Sequence, residues 1–261
     1  MNLGLEGKVA LVGAASRGLG AAIARILAEE GCTVEICSRS LDRVGHTADV
    51  ISSNTGSTVI ASEVDVTDAD EITAWVEDSA SRNGHLDIVI PNAGGPPAGS
   101  FVDTAPSDWD AGYELTLRSA MTFAAASKPH LVAGGSMLYL TSSSVKEPIS
   151  SLVLSNVFRA GVAALAKTLA SDWASDAIRV NQLIPGRIAT ERLDELDAYT
   201  AGQRGIAVAD VRDQMQASIP LGRYGVPEEF ANAAVFLVSP AASFITGATL
   251  QVDGGALKSV F

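Results

Sequence analysis

The apolar run Val9-Ala10-Leu11-Val12 passes without a break into Gly13-Ala14-Ala15-Ser16-Arg17-Gly18-Leu19-Gly20, and a segment of helical period follows at once. Few folds accommodate that order. Glycines between a strand and a helix let the backbone approach a pyrophosphate, and the helix N-terminus offers free N–H groups and the positive end of its dipole. A helix is expected over 19–30, with Ile23, Ile26 and Leu27 on one face. The same alternation continues along the chain. Strands are expected at 8–12, 33–37, 58–61, 86–90, 137–141, 178–184 and 249–252. Helices are expected at 41–52, 68–81, 106–128, 152–175 and 227–238. Strand and helix alternating in this way imply an α/β fold, a single-domain, doubly wound parallel sheet of the Rossmann type with helices on both faces. The ligand crevice then lies at the carboxyl ends of the strands. Only 190–222 breaks the pattern. It is polar and weakly periodic, and beside such a crevice it reads as a substrate lid.

Composition narrows the function classes. Hydrophobic residues make up 47% and charged residues 18%, enough for a sizeable core, while a net charge of −12 argues against nucleic acid as a partner. The N-terminus carries no basic residues before its apolar run and reads as a first strand, not a secretion signal. No uninterrupted apolar stretch of membrane-spanning length is evident. Cys32 and Cys37 fit reduced core thiols of a cytoplasmic protein. His46, His85 and His130 are scattered, so no metal is expected.

The second expected strand ends at Ser38-Arg39, with no acid at the tip to accept from a ribose 2′-hydroxyl. Arg39, with Arg17 in the turn, suits a 2′-phosphate instead, so NADP(H) is preferred over NAD(H).

With these residues in view, the chain resembles the classical short-chain dehydrogenase/reductase family, and within it the 3-oxoacyl-acyl-carrier-protein reductase type. The resemblance runs from the turn (Gly13, Ala15, Ser16, Arg17, Gly18, Leu19, Gly20) to Val252-Asp253-Gly254-Gly255. It implies that Asp65-Val66 holds the adenine and that Asn92-Ala93-Gly94 closes the fourth strand. It also implies that Pro185-Gly186, with Ile188 and Thr190, meets the nicotinamide carboxamide. Pro220-Leu221-Gly222-Arg223 and Ile245-Thr246-Gly247 match further landmarks. One departure is Ala14, where the family carries glycine.

The resemblance also implies a catalytic tetrad, and here the chain departs from it. In this family a Tyr protonates the carbonyl oxygen, a Lys four residues on lowers its pKa, a Ser thirteen residues upstream polarises the carbonyl, and an Asn completes a relay. Those positions hold Ser155, Arg159, Ser142 and Thr116, and no tyrosine lies between 140 and 198. Serine is a far weaker acid than tyrosine. Arg159 can hydrogen-bond a ribose but, as a permanent cation, cannot shuttle protons. Losing a general acid costs about 10²–10⁴-fold in rate. Lys146, four residues past Ser142, is a substitute donor if desolvated, and Ser142, Ser143 and Ser144 are candidate oxyanion partners. Tyr139 reads as packed. Two functions compete: an NADPH-dependent reductase of a carbonyl or iminium carbon with a substitute proton donor, and a dinucleotide-binding protein that has lost or repurposed the reaction centre. The family analogy suggests a homotetramer or homodimer.

Overall fold

The computed structural model describes residues 2–260. Seven strands, β1 (Val9–Val12), β2 (Thr33–Ser38), β3 (Val59–Glu63), β4 (Leu86–Ile90), β5 (Leu131–Leu140), β6 (Arg179–Pro185) and β7 (Thr249–Val252), form one sheet in the order β3-β2-β1-β4-β5-β6-β7. Every pairing is parallel. The order reverses between β1 and β4, so the connections leaving these two strands diverge and open a crevice above their carboxyl ends.

Both faces of the sheet are covered, which is why the central strands β1 and β4 are buried along their whole length and do not alternate. On one side Ala10 and Val12 of β1 pack with α1 (Gly18–Glu29), α2 (Leu41–Thr55) and α9 (Pro227–Val238). On the other, Val9 and Leu11 share a core with α3 (Ala69–Asn83), α5 (Ser119–Ser127) and α6 (Val153–Asp172). Cys32 and Cys37 are free and buried in these cores, and burial pushes both thiols up to about 12.

Three stretches differ from the sequence expectation. The helix expected over 106–128 is divided into α4 (Pro106–Tyr113), a π turn at Glu114–Arg118 and α5. Such a turn has no side-chain signature, because it redistributes backbone hydrogen bonds without changing hydrophobic spacing. Strand β5 starts at Leu131, six residues before its expected start, because Gly134 and Gly135 masked its first half. Gly134 has φ 87, and the pairing with β4 shifts register between Leu86 and Ile88. The third difference is α6, which is long and apolar enough to cross a membrane by length and composition, where no such stretch was expected. In this fold it covers the sheet, with Val162, Ala166 and Ala170 in the core.

The segment 190–222 is mostly helical: α7 (Glu191–Arg204) and α8 (Val208–Ala217). Leu193, Asp197, Ala201 and Val211 are buried within it, while the outer faces are polar, which is what blurred the helical period.

Candidate active site

The turn between β1 and α1 is held at several points. Gly13 N–H donates to Ile90 O (3.1 Å) and Ala15 N–H to Cys37 O (2.9 Å). The Asn92 amide donates to Gly13 O (3.1 Å) and Ala14 O (3.3 Å), and Thr47 Oγ1 donates to Ser16 O (2.9 Å). A Cβ on Gly13 would lie 2.8 Å from Asn92 O, and one on Gly20 would lie 2.9 Å from Ala14 O, so both positions demand glycine. The result is a rigid backbone cradle at a helix N-terminus, which fits a pyrophosphate. Ala14 takes φ 45, left-handed backbone that costs a residue with a Cβ about 1 kcal/mol. The effect of Ala14 therefore lies in backbone strain as well as in its methyl group.

Around the cradle, Arg39 is exposed beyond the end of β2, and Ser38 Oγ bonds Ser40 O (3.1 Å). Asp65 Oδ1 accepts from Thr67 N (3.0 Å) and Thr67 Oγ1 (2.9 Å), fixing the β3–α3 loop, and Val66 is buried beside it. Arg17, expected near the extra phosphate, is paired across the crevice with Glu191 of α7.

Pro185, Gly186, Ile188 and Thr190 line the same crevice as Gly18, Leu19, Gly20, Asn92, Ala93 and Gly94, as do Ser142, Ser143, Ser155 and Arg159. Its volume is about 520 Å³. Gly186 N–H bonds Val252 O (2.9 Å), tying the turn after β6 to β7.

The structure brings together some of the tetrad positions. Ser142 Oγ accepts from Ser144 N (3.1 Å) and so caps the short helical turn after β5. Ser155 Oγ lies 3.5 Å from Ser144 Oγ. Arg159 Nη1 donates to Leu140 O (2.8 Å), and its pKa is lowered to about 10 by burial first and by the Arg192 charge second. It remains a cation at neutral pH. Thr116 stands apart, in the π turn, its hydroxyl buried without a partner. Lys146 ends the helical turn at Ser143–Val145 and is not among the crevice-lining side chains, a correction to its expected place facing substrate. Its neighbour Glu147 does line the crevice and accepts from Lys258 N (2.8 Å) and Ser259 N (3.0 Å), holding the C-terminal segment over it. Tyr139 is packed as expected: its hydroxyl bonds Ala120 O (3.2 Å), and burial raises its pKa.

Sequence reading missed the residues that α7 contributes. Arg192, Leu196 and Tyr199 line the crevice at helical spacing, with Leu193 and Thr200 beside them. That period was present in the sequence but was diluted by acidic residues on the outer face. Arg187, in the loop before α7, pairs with the fully buried Asp197 (2.7 Å), whose other oxygen accepts from the Tyr224 hydroxyl (2.9 Å).

Residues 13–256 match the family model described as enoyl-(acyl carrier protein) reductase. The chain is 32% identical over 257 residues to the 3-oxoacyl-acyl-carrier-protein reductase of Chlamydia muridarum, covering 98% of this chain and 99% of that one. It is 34% identical over 260 residues to the cis-4-hydroxycyclohexanecarboxylate dehydrogenase of Sinomonas cyclohexanicum, covering 95% and 96%. Among solved structures, L-sorbose reductase from Gluconobacter frateurii, complexed with NADPH and L-sorbose, superposes with a TM-score of 0.94 at 31% identity over 100% of both chains. A cradle that fits a dinucleotide, the Pro185–Thr190 turn on the same crevice and this set of relatives lead to one assignment: the chain is an oxidoreductase of the short-chain dehydrogenase/reductase family.

Proposed function

We propose that the protein reduces a small carbonyl or iminium compound with NADPH, using a proton source other than the family tyrosine. The observation that carries this reading is the shared crevice: the carboxamide turn at Pro185–Thr190 faces the same space as Ser142 and the phosphate cradle. A protein that merely held the adenosine half would have no use for that turn. The NADPH bound in the sorbose reductase structure supports the choice of coenzyme.

Gly13–Gly20 would hold the pyrophosphate, Asp65-Val66 the adenine, and Pro185, Gly186 and Thr190 the carboxamide. When bound, the nicotinamide supplies a hydride to the substrate carbon. Ser142 donates a hydrogen bond to the substrate oxygen and disperses the charge that develops there. Arg159 and Arg192 hold a positive field over the same space. The oxygen takes its proton from solvent entering the open crevice, and an iminium carbon needs none.

Two expected results test the reading. Purified protein should oxidise NADPH with at least one member of a panel of diketones, β-ketoesters, quinones and cyclic imines, and Ser142→Ala should lower that rate by about 10²-fold. NADPH absorbance follows both. Arg39→Ala should weaken NADPH about tenfold and leave NADH nearly unchanged in a fluorescence titration, since a charge-assisted phosphate contact is worth about 1.5–3 kcal/mol. Equal effects on both coenzymes contradict the 2′-phosphate assignment. The second reading, a coenzyme binder without redox turnover, rests on Ser155, whose hydroxyl faces Ser144 and is too weak an acid to replace tyrosine. It wins if NADPH binds tightly and no substrate in the panel turns over.

A further inference from the structure

We infer that Arg192, assisted by Arg159, forms an anion subsite in the crevice that binds the carboxylate of a small organic acid. The inference rests on reading this crevice as the substrate pocket of a reductase, and it names the class of substrate.

The argument starts from charge. The chain holds 30 acidic against 18 basic residues, so counter-ions are plentiful. Four arginines nonetheless line one crevice: Arg17, Arg159, Arg187 and Arg192. Arg187 is neutralised by the fully buried Asp197, whereas Arg17 meets Glu191 in a pair exposed on both sides. Arg159 has no carboxylate partner among the described residues, and its one recorded side-chain hydrogen bond goes to Leu140 O. Arg192 donates to Pro96 O (2.8 Å) and to Glu195 Oε2 (3.1 Å), and that glutamate is half exposed, where screening weakens the pair.

Both guanidinium groups line this crevice, and the Arg192 charge adds to burial in lowering the pKa of Arg159. Like charges placed together in a partly dry site destabilise one another unless an anion joins them. Among the described residues the protein offers this pair one carboxylate, the half-exposed Glu195 on Arg192. The other carboxylates of the crevice are engaged elsewhere: Glu147 with the backbone of Lys258 and Ser259, and Asp253 with Gly255 N and Leu257 N (both 2.9 Å).

Position supports the same conclusion. A Cβ on Gly95 would come within 3.0 Å of Arg192 Nε, so the guanidinium lies against the backbone that follows Asn92-Ala93-Gly94, beside the expected nicotinamide site. Ser155, a short side chain, lines the same crevice. Ile149, Leu152, Leu193 and Leu196 give the crevice an apolar wall for a carbon skeleton. A planar carboxylate matches the guanidinium fork in two parallel hydrogen bonds.

The test is calorimetric titration of the whole chain, saturated with NADP+, by benzoate and by its uncharged analogue benzamide. Wild type, Arg192→Gln and Arg192→Lys are compared, with thermal unfolding as the check on folding. Benzoate is expected to bind at least about tenfold tighter than benzamide, Arg192→Gln to abolish the preference by weakening benzoate alone, and Arg192→Lys to keep part of it. A wild type with no preference, or with no binding of either compound, overturns the proposal. So does an Arg192→Gln variant that keeps the preference. Inorganic phosphate binding tighter than benzoate overturns the carboxylate assignment. Repeating the titration without NADP+ separates the two claims: failure of NADP+ to bind sinks the reductase reading, whereas the benzoate preference alone decides the arginine subsite.

Discussion

Gly186→Ala is expected to lower the unfolding free energy by roughly 3 kcal/mol and to abolish measurable coenzyme binding, because overpacking against backbone cannot be relieved by a rotamer change. A Cβ at this position would lie 2.5 Å from Asp253 Cα and 2.6 Å from Asp253 Cβ. The turn after β6 and the turn after β7 must therefore separate for the methyl to fit. Gly186 N–H bonds Val252 O, and the separation would break that bond together with the pairing of Pro185 and Val252 at the end of the sheet. Asp253 is itself the anchor of the C-terminal loop, through Gly255 N and Leu257 N. Disturbance there would also move Ala256 and Leu257, which line the crevice. Urea unfolding measures the first effect and NADPH fluorescence the second. A variant with unchanged unfolding midpoint and coenzyme affinity would show that this close approach is not needed.

Asp197→Ala is expected to cost about 3 kcal/mol, the lower end for a broken buried ion pair, because Arg187 keeps some contact with water. The carboxylate is fully buried in α7 and accepts from both Arg187 and Tyr224, so it latches α7 to the loop after β6 and to the segment before α9. Without it, a guanidinium stays in the crevice with no counter-ion and α7 loses its fully buried charged anchor. Substrate KM is expected to rise more than kcat falls, since α7 lines the crevice without carrying Ser142 or the phosphate cradle. The phenol of Tyr224 gives an independent readout. Its pKa is raised by burial and then by its hydrogen bond to Asp197, so the variant's phenol should ionise at lower pH, visible by absorbance in alkaline titration. An unchanged phenol titration would mean that the contact does not persist in solution.

The arginines show where sequence reading stops. Arg159 stood out because it occupies a motif position, four residues after Ser155 on one helix. Arg192 belongs to no motif. Its importance comes from meeting Gly95, Pro96 and the charge of Arg159, which are distant in the chain. Lys146 failed in the opposite direction. Its spacing from Ser142 placed it near the reaction centre, but the short helical turn at Ser143–Val145 gives the crevice position to Glu147.

What the sequence determined by itself is the architecture and the coenzyme cradle. Both rest on patterns among near neighbours in the chain: short, mainly apolar strands alternating with helices that cover both faces, and glycines where a strand turns into a helix. It also showed that no tyrosine lies between residues 140 and 198, since that is a matter of residue identity alone. Only the tertiary structure decided which charges share the crevice and which are neutralised. Coulomb interactions and desolvation depend on distances through space between β1, β4, β6 and α7, and no local pattern encodes those distances.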